Sequence, residues 1–105
     1  MLETEATTPR VAIVIPTWNR KADVLHCVAS LQRLTYRNRI TVVVDNGSRD
    51  GTVDALRAHH SDVAVIENGV NLGYAGGNNV GIRWALGEGA EFVCLINNDT
   101  EVTPD

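Results

Sequence analysis

Residues 39–52 read RITVVVDNGSRDGT, and this stretch decides the fold class of the chain. It opens with a nearly continuous run of apolar, β-branched residues that ends at Val44. Such a run is typical of a strand buried on both faces of a parallel sheet. The pair Asn46-Gly47 then predicts a turn, and Asp50 is a candidate N-cap for a helix over residues 52–59. A buried strand that leads through a short turn into a helix is the building unit of α/β folds.

The same order recurs along the chain. Three more apolar runs predict strands, at residues 11–15, 63–66 and 92–96. Helical spacing of apolar residues predicts two further helices, at residues 21–34 and 76–86. In the last helix we expect four apolar residues to pack inward: Val80, Ile82, Trp84 and Leu86. The resulting order β-α-β-α-β-α-β predicts an α/β fold with a Rossmann-like parallel sheet and right-handed crossovers.

Composition narrows the class of protein. The chain has 105 residues, 44% hydrophobic and 21% charged, which fits one small domain. We expect residues 1–9 to form a flexible tail and residues 10–105 to form the domain. A net charge of −4 with 9 Lys and Arg disfavours nucleic acid as a partner. Cys27 and Cys94 lie far apart in apolar runs, which indicates a reducing, cytoplasmic location, and no run approaches the roughly 18 residues that cross a bilayer.

Polar residues follow all four predicted strands. Ligands of open parallel sheets bind beyond the carboxyl ends of the strands. The four loops begin with residues 16–19 (PTWN), 45–48 (DNGS), 68–74 (NGVNLGY) and 97–99 (NND). Because Asn, Asp and Gly are also turn formers, each loop taken alone fits a purely structural role. Four such loops at one edge of a sheet favour a binding site there.

Several of these side chains suggest a specific chemistry. Asp99, together with Asn97, offers oxygen ligands for Mg²⁺, which takes one or two carboxylates plus substrate phosphates. Asp45 can accept a hydrogen bond from an imide N–H, as in a uracil or thymine ring. Trp18 offers an indole face on which a base can stack. The alternatives are an Asx-turn at each carboxylate and packing beneath its own loop for the indole.

The stretch at residues 71–79, NLGYAGGNN, opens the third helix. Free N–H groups and the positive end of the helix dipole suit a diphosphate there. Gly76, Gly77 and Gly81 each weaken a helix by about 0.5–1 kcal/mol relative to Ala, so either ligand approach or tight packing on the sheet accounts for them. Two common phosphate-binding fingerprints, G-x-G-x-x-G after the first strand and G-x-x-x-x-G-K-[ST], are absent from the sequence.

Four segments together resemble family 2 glycosyltransferases, in the order and spacing of that family: residues 14–20 (VIPTWNR), 44–52 (VDNGSRDGT), 71–81 (NLGYAGGNNVG) and 95–100 (LINNDT). The NND triplet is most similar to the rhamnosyltransferase-type branch. The resemblance implies a GT-A fold, with this chain as its N-terminal half. It also implies a UDP- or dTDP-sugar donor, Mg²⁺ or Mn²⁺ as cofactor, and inverting transfer to an acceptor hydroxyl in cell envelope polysaccharide biosynthesis.

The resemblance also implies roles for single residues. The nucleotide-binding set is Pro16, Thr17, Trp18 and Asn19 at the base and ribose, Asp45 at the base with Asn46 beside it, and Asn71, Gly73, Gly76 and Asn78 along the ribose and diphosphate. The metal-binding set is Asn97 and Asp99, in the triplet that matches the D-x-D motif of the family. Asn97 replaces the first aspartate of that motif, which leaves Asp99 as the only charged ligand of the triplet.

Length is a second departure from the family. Family enzymes continue beyond the D-x-D motif into an acceptor-binding half that holds the catalytic base, whereas six residues follow Asp99 here. We therefore expect a truncated donor-binding fragment that has no catalytic base and is inactive alone. We also expect a homo-oligomer through the exposed edge of the fourth strand, and peripheral membrane association of the parent enzyme. The alternatives are a non-catalytic α/β interaction module and a nucleotidyltransferase, whose Gly-rich basic loop is missing here.

Overall fold

The computed structural model describes residues 8–101, so most of the predicted tail at residues 1–9 lies outside the described residues. Strands and helices alternate throughout, which confirms the α/β prediction. The elements are β1 (Val11–Thr17), α1 (Lys21–Leu31), β2 (Arg39–Asp45), α2 (Thr52–His59), β3 (Ala64–Glu67), α3 (Gly73–Gly87) and β4 (Phe92–Leu95). Among the described residues, none of the helices is both long enough and apolar enough to cross a membrane.

The four strands form one parallel sheet in the order β3-β2-β1-β4. The first two crossovers move the chain outward from β1 to β2 and β3, and the third carries it back to the other side of β1. The strand order therefore reverses at β1, with β2 on one side of it and β4 on the other. A crevice at the carboxyl ends of two such strands is where open α/β sheets bind ligands.

Each face of the sheet carries its own apolar cluster. On one face α1 and α2 cover the sheet with fully buried branched side chains, among them Val24, Val28 and Leu56. On the other face α3 covers a second cluster: Val14, Val42 and Val44, against which Val80 and Trp84 pack. Because alternate residues of a strand point to opposite faces, a strand segment covered on both faces must be apolar at every position, as residues 42–44 of β2 are.

Helix α3 lies close to the sheet because glycines face it. A Cβ added to Gly81 would stand 2.3 Å from Cγ1 of Val14, and one added to Gly77 would stand 3.1 Å from Cβ of Pro16. From the sequence, either tight packing or ligand approach could explain these two glycines, and the structure shows that tight packing does. The prediction that Leu86 packs inward is wrong, since its side chain is 62% exposed. The buried face of α3 runs through Gly77, Gly81 and Ala85. Leu86 follows Ala85 in the sequence and therefore points to a different side of the helix.

Several element ends differ from the predicted ones. Strand β1 continues past Ile15 to Thr17, because Pro16 and Thr17 stay in register with Val44 and Asp45. Helix α1 ends at Leu31 rather than Leu34, since the amides of Arg33 and Leu34 donate to i−3 rather than i−4 carbonyls. Helix α3 begins at Gly73 rather than Gly76, where the Asn71 side chain accepts the Gly73 N–H.

The start of α2 differs from the predicted cap. Gly51, not Asp50, occupies the N-cap position, with a φ of +85° that favours glycine. Asp50 sits one residue earlier, where its Oδ1 accepts the backbone N–H of Thr52 at 3.2 Å. The carboxylate therefore bonds to the first residue of α2 although it lies one residue before the N-cap.

Candidate functional site

A cleft of about 370 Å³ opens at the carboxyl ends of β1, β2 and β4. It lies where the strand order reverses, as expected for an open parallel sheet. Its walls come from the loops after all four strands together with the first turns of α1 and α3. The lining residues are Pro16, Thr17, Trp18, Arg20, Asp23, Asn46, Asn71, Gly73, Tyr74, Asn98 and Asp99.

The structure brings together most of the sequence-predicted residues. Seven of the twelve line this cleft: Pro16, Thr17, Trp18, Asn46, Asn71, Gly73 and Asp99. Asn19 lines a second, adjoining hollow of about 440 Å³, which shares Trp18, Asn46 and Asn71 with the cleft. The other four, Asp45, Gly76, Asn78 and Asn97, line neither of these hollows. The roles of all twelve toward a ligand stay predictions.

Two aromatic side chains stand free at the cleft. Trp18 is 50% exposed, which agrees with the predicted open indole and not with packing beneath its loop. Tyr74, in the first turn of α3, is also exposed and lines the same cleft. Flat apolar rings that solvent can reach offer stacking surfaces to a planar base.

The two carboxylate oxygens of Asp45 have different surroundings. Its Oδ2 accepts the backbone N–H groups of Gly47 and Ser48, at 3.2 and 2.9 Å, which is the Asx-turn alternative. Its Oδ1 is buried and has no hydrogen-bond partner among the described residues. A buried carboxylate oxygen without a donor is costly. The residue is 2% exposed, so a ligand reaches Oδ1 only when the atoms that cover it move.

Asn46 connects three loops through one buried amide. Its Oδ1 accepts Nδ2 of Asn68 at 2.8 Å and the N–H of Leu72 at 3.4 Å. Its Nδ2 donates to the carbonyl oxygen of Gly73 at 3.2 Å. The side chain thus joins the end of β2 to the loop after β3 and to the start of α3. Sequence reasoning missed this junction, because the partners lie more than 20 residues away and Asn46-Gly47 reads locally as a turn.

The loops after β1 and β2 are tied by a second group of hydrogen bonds. The N–H of Asn19 donates to Oγ of Ser48 at 2.8 Å, and Oδ1 of Asn19 accepts the N–H of Arg49 at 2.7 Å. Asn19 has a φ of +51°, a conformation that Asn tolerates better than most residues. The result is a rigid wall beside Trp18.

Asp50 joins the starts of two helices. Its carboxylate accepts the backbone N–H of Lys21, at the first residue of α1, and the backbone and hydroxyl groups of Thr52, at the first residue of α2. Desolvation is the largest single effect on Asp50 and acts to raise its pKa, but the hydrogen bonds from Thr52 and Lys21 together outweigh it and hold that pKa below its ordinary value of 3.8.

The NND triplet forms a turn at the edge of the cleft. The N–H of Thr100 donates to the carbonyl oxygen of Asn97 at 3.1 Å, and Nδ2 of Asn98 donates to Oγ1 of Thr17 at 3.1 Å. Asp99 is exposed at the cleft, whereas the side chain of Asn97 does not line it.

The donor set of this turn suits a hard cation in part. The carboxylate of Asp99 is the type of ligand that Mg²⁺ and Mn²⁺ prefer. Among residues 8–101 no cluster of three or more His, Cys, Asp or Glu side chains could hold a metal by itself. The residues present therefore fit a cation that draws its other ligands from a bound phosphate and from water, as Mg²⁺ commonly does.

Two charged residues at the cleft were not anticipated from the sequence. Arg20 and Asp23 line it from the start of α1, with 3.7 Å between their side chains. Arg20 is largely exposed and Asp23 partly so, and their attraction to each other is therefore weak. The signal available in the sequence was their position at the start of the helix that follows the PTWN loop.

The chain is similar in sequence to known glycosyltransferases. The chain is 34% identical over 95 residues to a glycosyltransferase of Haemophilus influenzae, covering 90% of this chain and 31% of that protein. It is 43% identical over 67 residues to a low-salt glycan biosynthesis hexosyltransferase of Haloferax volcanii, covering 61% of this chain and 20% of the relative.

A solved structure agrees with the fold. A mannosyltransferase of Pyrobaculum calidifontis, in complex with GDP-mannose and Mn²⁺, superposes with a TM-score of 0.77 at 30% identity and covers 87% of this chain and 28% of the mannosyltransferase. The chain thus spans between a fifth and a third of the length of these proteins. The rhamnosyltransferase-type branch stays a prediction. The model of glycosyl transferase family 2 matches residues 12–105, and the chain belongs to that family.

Proposed function

We propose that this chain is the donor-binding half of an inverting glycosyltransferase that takes a sugar from a nucleotide diphosphate. The observation that carries the proposal is the cleft itself. Four loops of a family 2 chain converge there, at the strand-order reversal, with two open aromatic rings, a helix N-terminus and a carboxylate. These groups complement a base, a diphosphate and a cation respectively.

The donor lies with its base against Trp18 and its diphosphate toward the first turn of α3. The unpaired Oδ1 of Asp45 supports a base with an imide N–H, so we propose a UDP- or dTDP-sugar. Binding then opens the turn at residues 45–48 and gives the buried oxygen its missing donor. The related mannosyltransferase binds GDP-mannose, so a guanine nucleotide is the comparison that tests this choice of base.

Asp99 holds the divalent cation, Mg²⁺ or Mn²⁺, with Asn97 as the second proposed ligand from the chain. The Mn²⁺ bound by the mannosyltransferase supports this assignment. A cation bound there would neutralise charge on the departing diphosphate. The chain's own residues stack on the base, orient the diphosphate and fix the position of Asp99. Inverting transfer also needs a base for the acceptor hydroxyl. We assign none within this chain and propose that the chain alone binds donor without transferring sugar.

Calorimetric titration tests the proposal. We expect UDP or dTDP to bind with Mn²⁺ present, more weakly with Mg²⁺ or without metal, and more tightly than GDP. The Asp99→Ala variant should lose at least tenfold in affinity when Mn²⁺ is present and little when it is absent. Glu91→Ala, at the opposite end of the sheet, is the matched control and should bind as the wild type does. Failure of every nucleotide to bind would instead favour a non-catalytic interaction module.

We also propose that two copies associate through the exposed edge of β4. Phe92 and Leu95 are 60% and 45% exposed, and the strand carries no charged residue that would block pairing with another strand. Sedimentation at high micromolar concentration should show a dimer, and Leu95→Lys should shift it to monomer while Leu86→Lys, on α3, leaves it unchanged. A monomeric wild type would contradict this proposal.

We place the protein in the cytoplasm. Its two cysteines are both free, one buried and one exposed, which suits a reducing compartment. Peripheral association of the parent enzyme with a membrane is the corresponding proposal for the longer protein. Fractionation of cells that express the protein would test both: the chain should appear with soluble proteins, and the parent enzyme should be released from membranes by high salt.

A further inference from the structure

The turn that carries Asp99 rests on one buried side chain of α1. Cys27 lies beneath the turn, and its Sγ–H donates to the carbonyl oxygen of Asn97, with 3.8 Å between sulfur and oxygen. The same carbonyl oxygen accepts the backbone N–H of Thr100 at 3.1 Å. The thiol therefore bonds to the oxygen that closes a four-residue turn whose third residue is Asp99.

The surroundings of Cys27 keep its thiol protonated and able to donate. Its side chain is fully buried in the cluster beneath α1. Burial, and next the negative charge of Asp99, raise the pKa of Cys27 to about 11.

Other described contacts hold the turn less firmly. His26 Nε2 stands 3.2 Å from Oε1 of Glu101, but both side chains are about two-thirds exposed, and such pairs contribute little. The bond from Asn98 to Thr17 is only partly buried and fixes a side chain rather than the backbone ends of the turn. The contact with Cys27 is thus the one that combines full burial of a side chain with contact to the backbone of the turn.

We infer that Cys27 is a positioning residue that fixes the NND turn so that Asp99 faces the cleft in a single orientation. The inference rests on the proposed metal-binding role of Asp99. It matters because Asn97 replaces an acidic residue, so one carboxylate must supply most of the attraction for the cation. A ligand held in one orientation before binding loses less entropy when the cation arrives, and a turn that moves freely would weaken the site.

Two nearly isosteric variants separate the hydrogen bond from the packing. Cys27→Ala and Cys27→Ser leave a similar void, but only serine keeps a donor near the Asn97 carbonyl. We expect Cys27→Ala to weaken Mn²⁺-dependent UDP binding at least fivefold while metal-free UDP binding stays within twofold of the wild type. Cys27→Ser should recover at least half of the lost affinity on a logarithmic scale. Val28→Ala, the next buried residue of α1, is the matched control: it should lower the melting temperature without changing metal dependence.

Amide hydrogen exchange gives a readout that does not depend on nucleotide binding. The Thr100 amide should exchange at least tenfold faster in Cys27→Ala than in the wild type, and at an unchanged rate in Val28→Ala. Should Cys27→Ala not fold, Cys27→Val, which refills the volume and also lacks a donor, replaces it. A folded donor-free variant with wild-type exchange at Thr100, or with wild-type metal dependence, overturns the inference. A wild type that binds no nucleotide overturns the proposed function instead, and exchange alone then decides whether Cys27 holds the turn.

Discussion

The two faces of the sheet are packed in opposite ways. Beneath α1 and α2, branched side chains such as Val28 and Leu56 fill the space between helix and sheet. Beneath α3, the space is closed by leaving side chains out at Gly77 and Gly81, so that the helix backbone approaches the strands. The first face should therefore be sensitive to lost atoms and the second to added ones. The close approach also brings the start of α3 to the cleft, where Asn46 bonds to Gly73.

Leu56→Ala tests the face covered by α1 and α2, and it should have the largest effect on stability. The side chain is fully buried in the cluster beneath α1 and α2, and such truncations cost about 2–5 kcal/mol through lost transfer free energy and a residual cavity. Urea denaturation should report this loss in the free energy of unfolding. Leu86→Ala, a change of the same chemistry at an exposed position, should stay within about 0.5 kcal/mol of the wild type. Equal losses for the two would contradict the assignment of the core.

Gly81→Ala tests the face covered by α3, and it should have the second-largest effect on stability. The new Cβ would stand 2.3 Å from Cγ1 of Val14, so helix and strand must separate, at a cost of about 1–3 kcal/mol. Adding Val14→Ala should relieve the clash, so the double variant should be more stable than the sum of the two single changes predicts. Strict additivity would show that the two positions do not touch.

Gly87→Ala, in the same helix, should stabilise the protein rather than destabilise it. No heavy atom lies within 4 Å of the added Cβ, and the backbone there needs no positive φ. Alanine loses less chain entropy than glycine on folding, so this change should stabilise the protein by about 0.4–1 kcal/mol in the same urea experiment. A destabilised variant would mean that the end of α3 is packed against something.

Asp50→Asn should have the smallest effect, and one that depends on pH. Asp50 joins α1 and α2, and its pKa is lowered in the folded protein. A lowered pKa contributes stability that is complete above the ordinary value of 3.8 and is lost as the pH falls through the folded-state value. The melting temperatures of wild type and variant should therefore differ at pH 7 and converge as the pH falls below 3.8 and through the folded-state pKa. A constant difference across that range would contradict a role for the charge.

The sequence predicted what depends on local pattern. The bounds of α2 agree at residues 52–59, and the loops after the strands do meet at one edge, because parallel strands must end together. On α3 the prediction is right for Val80 and Trp84, which pack against the sheet, and wrong for Leu86, because the glycines form the part of the helix that lies closest to the strands. The junction at Asn46 could not be foreseen, because its partner Asn68 becomes a neighbour only once β2 and β3 pair. The difference between the two Asp45 oxygens could be seen only in the structure. Oδ2 accepts backbone N–H groups of a turn, whereas Oδ1 has no donor among the described residues.

The position of β1 has a consequence for synthesis on the ribosome. Of the described strands this one is made first, yet it lies inside the sheet, and Val11 meets its partner Phe92 only after 80 intervening residues have been made. One flank of β1 stays uncovered throughout that interval, while its pairing with β2 can form early. Nascent chains arrested before residue 92 should accordingly be cleaved by added protease, and chains arrested after β4 has left the exit tunnel should resist it.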